Sequence, residues 1–103
     1  MSKKIISRIT GNQLTSEEAL TLCARVKRET GAVYVENVST YGYSTPELAK
    51  EATLEDSIKL YTGYTFAFAG AIKRSDGYRA CVIAIKDIPV NFEKLFPDYV
   101  VIG

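Results

Sequence analysis

The residues best equipped for chemistry in this chain are basic and phenolic. Lys73, Arg74 and Arg79 flank Ser75-Asp76-Gly77, and Tyr41 and Tyr43 bracket Gly42. A guanidinium takes a phosphate or carboxylate through two parallel N–H donors, and a tyrosine ring offers a flat face for stacking. These five residues define a candidate ligand site for a small anion, a phosphorylated small molecule or nucleotide, or an acidic partner. Other chemistries lack their parts. The chain has no histidine, and so lacks the usual general base near neutral pH, the commonest metal ligand and the base of Ser-His and Cys-His pairs. Cys23 and Cys81 alone make no zinc site. Each lies in an apolar pattern and reads as a small buried thiol in a reducing compartment. There is no paired-carboxylate motif, no GxxxxGK loop and no nucleophile elbow. The expectation is a protein that is not an enzyme and uses no cofactor or metal.

Those side chains must be carried by one domain. A chain of 103 residues with 47% hydrophobic composition supports a single core spanning 1–103. Thirteen Lys and Arg against 12 Asp and Glu leave no strong field for a polyanion or a membrane surface. Nucleic acid would need a local basic patch. No apolar run reaches the roughly 18 residues of a spanning helix. The start, MSKKIISRIT, has no secretory apolar core. A cytoplasmic location without membrane contact is expected.

Along the chain, residues 3–10 alternate around Ile5, Ile6 and Ile9 and read as a strand ended by Gly11-Asn12. Thr15-Ser16-Glu17-Glu18 is a capping box, after which Ala19, Leu22, Cys23 and Val26 recur at helical spacing, widened by Leu20 and stopped at Gly31. Residues 32–39 are rich in β-branched types and predict a second strand. Thr45-Pro46 opens a second helix, with an apolar stripe read through Leu48, Ala52, Ile58 and Tyr61 and a restart at Thr53. After Gly63 the period becomes two: residues 64–74 and 78–87 predict a hairpin with Asp76-Gly77 as its turn. A helical turn over 92–96 and an edge strand over 99–102 finish the chain. The order β-α-β-α-β-β-(short α)-β points to an α+β, two-layer domain, two main helices on a mostly antiparallel sheet of four to five strands.

Within the hairpin, Gly63-Tyr64-Thr65-Phe66-Ala67-Phe68 echoes the glycine-aromatic run of RNA-binding sheets, but it follows the second helix and lacks the preceding basic residue, so that assignment is rejected. A turn at Asp76-Gly77 sets Phe68 opposite Ile85, Gly70 opposite Ile83, Ile72 opposite Cys81 and Arg74 opposite Arg79. One face then carries Tyr64, Phe66, Phe68, Ile72, Cys81, Ile83 and Ile85, the expected core. The other carries Thr65 with Ala67, Ala69, Ala71, Ala80, Val82 and Ala84, beside Tyr78. These small apolar residues form a candidate interface: a second subunit packs there, or part of the same chain does, such as residues 39–45 or the last strand. A further arrangement sets the helices on the alanine face and a partner on the aromatic one. The functional expectation is a protein acting through protein–protein contacts, of inhibitor, immunity or adaptor type, as a homodimer. The alternative is a module that binds a phosphorylated small molecule or nucleic acid through its tyrosines and basic hairpin tip.

Overall fold

The structure, a computed structural model, describes residues 3–103. It is an α+β domain of eight elements: β1 (Lys4–Arg8), α1 (Ser16–Thr30), β2 (Val33–Val38), α2 (Pro46–Leu60), β3 (Thr65–Arg74), β4 (Gly77–Lys86), α3 (Phe92–Leu95) and β5 (Tyr99–Ile102). The helix ends form for local reasons. Thr15 Oγ1 accepts from Glu18 N and Glu18 Oε1 accepts from Thr15 N, both at 3.1 Å, so two otherwise orphaned amides at the start of α1 are satisfied. Gly31, at φ 80°, closes the helix in the left-handed conformation. In α2 the Thr45 hydroxyl accepts from Leu48 N, and Pro46 occupies the first turn. This helix runs unbroken through Thr53, so the expected restart does not occur; the Ser57 hydroxyl donates to Thr53 O within it.

The five strands form one sheet in the order β2-β4-β3-β1-β5, with β1 and β3 parallel and every other neighbouring pair antiparallel. It follows that β2 runs parallel to β1 and β3. The connection from β1 through α1 to β2 crosses the sheet in one direction, and that from β2 through α2 to β3 crosses back. Two crossovers of one hand but opposite direction place their helices on opposite faces. The cores agree. Ala19, Leu22, Cys23 and Val26 of α1 pack with Ile83 and Ile85, whereas Leu54 and Ile58 of α2 pack with Val82 and Ala84. The class and the element order are as the sequence implies, but the layering is helix, sheet, helix.

This layering corrects the picture of a bare alanine face. Ala80, Val82 and Ala84 are buried beneath α2 of the same chain. The buried stripe of α2 is Ala49, Thr53 and Ser57, small residues at every fourth position that let the helix settle close onto small strand residues. Leu48, expected in that stripe, is exposed. A bulge between Phe66 and Phe68 also changes the hairpin faces. Phe66 and Tyr64 pack on the α2 side, while Ala67 joins Phe68 on the α1 side. One extra residue in β3 thus exchanges the expected faces of everything before it.

Candidate functional site

The hairpin turn differs from expectation by one residue, and the difference decides the charge pattern. Arg74 lies opposite Gly77 and Ile72 opposite Arg79, so Ser75 and Asp76 are the turn residues and the two arginines do not face each other. The reason is Gly77: at φ 121° it is the first residue of β4, and a β-carbon there would run into Tyr43 O and the backbone of Gly42. Arg79 instead folds back on the turn. Its Nη2 donates to Asp76 Oδ2 at 2.6 Å, its Nε to Oδ1 at 3.3 Å and its Nη1 to Ser39 O at 3.1 Å. All three guanidinium nitrogens are engaged. The hydrogen bonds from Arg79 hold the Asp76 carboxyl below its ordinary range, and the same contact raises Arg79.

The five expected ligand residues are divided by the sheet. Tyr41 and Tyr43 stack on one another with centroids 5.0 Å apart, in a loop seated on the α2 side. There Tyr43 and Tyr78 exchange backbone hydrogen bonds of 2.8 and 2.7 Å, and Lys73 Nζ lies 5.9 Å from the Tyr78 ring. The hydrogen bond with Tyr41, followed by burial, raises the Tyr43 phenol above its ordinary range. Arg74 and Arg79 line the other side, with Glu36 and Cys81. No single ligand meets all five. The cleft beside the tyrosines is polar, and its groups bond among themselves: Ser39 Oγ lies 2.7 Å from Thr53 Oγ1, and Asn37 Nδ2 donates to Ser57 Oγ at 2.8 Å.

The open ground is on the α1 side. Ten-residue strands reach about 33 Å, whereas a fifteen-residue helix spans about 22 Å. On the α2 face the loop through Tyr41 and Tyr43 covers the remaining hairpin end; on the α1 face nothing among the described residues does. The result is a basin of about 680 Å³ lined by Glu36, Val38, Ile72, Arg74, Asp76 and Arg79. A second hollow of about 350 Å³ continues it toward Leu20, Phe68 and Gly70. Its floor is apolar: Ile72 is 56% exposed and Val38 51%, and the Phe68 ring lies over Gly70, where a β-carbon would collide with it. Cys81 is half-buried at the centre, its thiol raised by burial and then by the Glu36 charge; Cys23, on the buried face of α1, is pushed up to about 12 by burial. Of the expected interface residues, Ala67, Ala80, Val82 and Ala84 are buried and Ala69, Ala71 and Tyr78 half-buried. Within the hairpin the exposed apolar surface, at Ile72, is therefore on the opposite face from the one expected.

Glu36, Val38 and Asp76 were not expected from the sequence as site residues, Asp76 being read only as part of the turn. The signal for the first two lay in the period-two alternation of β2, which sets Tyr34, Glu36 and Val38 on one face; which face lies bare depends on the length of α1 relative to the hairpin. Among the described residues no helix is long and apolar enough to cross a membrane. The chain matches no protein-family model, no curated protein and no solved structure.

Proposed function

We propose that this chain is a non-catalytic binding domain that acts through protein–protein contact at the basin of the hairpin's α1 side, and that it does so as a homodimer in a reducing, cytoplasmic setting. The observation that carries the reading is the pairing of an exposed apolar floor, Ile72 and Val38, with a rim of fixed charge, Arg79 held on Asp76 and Glu36 opposite. A greasy floor within a charged rim suits a protein surface. It suits a free phosphate poorly, because the guanidinium best placed to take one is already neutralised by Asp76 and Arg74 stands alone beside it. The reading is tested by the thermal midpoint in millimolar nucleotides, phosphorylated sugars and single-stranded oligonucleotides at low salt, with sedimentation of the same preparation. The expected result is a flat midpoint across the panel and a mass above the monomer. A rise of roughly 3 °C or more with any one compound would replace protein contact by ligand binding, since a ligand of the folded state stabilises it by mass action.

A further inference from the structure

The two edges of the sheet are finished differently. At β5 the strand is only four residues long, and the Val101 amide is taken by Glu93 Oε2 at 3.0 Å. At β2 nothing comparable is present. The six residues VYVENV contain no lysine and no proline, and the pairing with β4 has no bulge, so of the usual devices that blunt an edge only the charge of Glu36 is present. Which backbone groups it offers follows from the ladder. Ser39 N donates to Ala80 O at 2.9 Å. In an antiparallel ladder alternate residues turn their amides to the same neighbour. Odd-numbered residues of β2 therefore face β4, and Tyr34, Glu36 and Val38 present N–H and C=O outward. Val33 and Val38 are exposed by 52% and 51%.

We infer that this edge is completed by a second copy of the chain, β2 pairing antiparallel with β2 about a two-fold axis through Val35, so that two sheets become one. The inference rests on the proposed homodimer and names its surface. The strand is self-complementary in that register and not in its neighbour. With the axis at Val35, Tyr34 stands opposite the partner's Glu36, and each such pair exchanges both outward backbone hydrogen bonds. Lys27 of α1 sits over the Tyr34 ring, Nζ 6.0 Å from its centroid, and so reaches toward the partner's Glu36. Neither Lys27 nor Glu36 has an ion-pair partner among the described residues. The two-fold sets two ammonium and two carboxylate groups in alternation, and like charges are kept apart. Moving the axis by one residue to Glu36 would place two carboxylates directly opposite, which is destabilising. Charge complementarity thus selects both the occupant and the register. The pairing also extends the proposed contact site: Val38, a wall of the basin, gains the partner's Ala32 as its neighbour, and Glu36 gains the partner's Tyr34. The basin floor then continues across the axis.

Charge-reversed variants read the contact. Lys27→Glu alone sets Glu against the partner's Glu36, and Glu36→Lys alone sets Lys against the partner's Lys27. Each is expected to weaken self-association by on the order of 10- to 100-fold in sedimentation equilibrium. An equimolar mixture of the two is expected to recover a dimer, because both cross-pairs are then opposite in sign; that recovery also shows that each variant is folded. Glu36→Pro is expected to be monomeric with an unchanged far-UV spectrum, since its amide points away from β4 and an edge position tolerates proline. If wild type is a dimer that all three variants leave intact, or if the mixture stays monomeric, the β2 contact is overturned while the protein-contact reading stands. A wild-type chain monomeric to about 1 mM overturns the contact and the homodimer together, and leaves the ligand panel to decide the rest.

Discussion

Arg79 was legible as a charge beside a turn; its partner was not. The sequence offers Asp76 and Gly77 as the pair with φ above zero, but Gly77 is held against Tyr43 and Gly42, and the turn moves back by one residue. The carboxylate then falls within reach of Arg79 instead of pointing into water. Because Asp76 is depressed by Arg79 and Glu18 by the Thr15 amide, their contributions are complete above the ordinary carboxylate range and are lost as pH falls through the depressed values. The thermal midpoint is therefore expected to decline below about pH 4, and Asp76→Asn together with Glu18→Gln should make that acid limb shallower. An unaltered limb would assign acid sensitivity to other carboxylates. Gly42 is the second residue with a sharp requirement. A β-carbon there would enter the Asp76 carbonyl, a backbone group that cannot rotate aside. Gly42→Ala is expected to cost roughly 1–3 kcal/mol in urea unfolding, and to detach the tyrosine loop from the turn, seen as altered tyrosine fluorescence.

The two main helices show where periodicity suffices and where it does not. All four expected core residues of α1, from Ala19 to Val26, are buried, because large apolar side chains at helical spacing admit one orientation. The α2 stripe was misread for the opposite reason. Its buried residues are alanine, threonine and serine, which a hydropathy pattern does not mark, and the exposed Leu48 drew the start of the expected stripe away from them. What buries small residues is the smallness of what they meet, here Ala80, Val82 and Ala84 of β4. Ala84→Leu should lift α2 from the sheet at a cost of about 1–3 kcal/mol by calorimetry. The expectation of a bare alanine face in fact predicts the reverse, a neutral or solubility-lowering change, so the measurement separates the two arrangements directly.

At the scale of the whole chain, the element order was readable and the strand order was not. Local patterns say that a strand ends and a helix begins. They do not say that β2 passes beyond β4 to the far edge, and it is that excursion and return which divides the helices between two faces. The same excursion leaves β2 with one neighbour. In dilute solution amide exchange along β2 is expected to alternate, with Val35 and Asn37 protected by β4 and Tyr34, Glu36 and Val38 exchanging freely. As concentration rises, slowing of the second set would register the arrival of another strand. Uniform protection throughout would place the edge inside some other contact.

The surplus residue at Ala67 has a consequence for how this sequence can change. Upstream of it Tyr64 and Phe66 belong to one core, and downstream Phe68 belongs to the other, so the strand is written in two phases joined at that point. Deletion of Ala67 would leave Phe66 against Ala84 and Phe68 against Ile83 in an unbroken ladder, so both cores would keep their residues, whereas deletion of Thr65 would turn Tyr64 toward Cys23. Lineages of this chain are thus expected to accept loss of that one residue far more readily than loss of a residue before it in the strand.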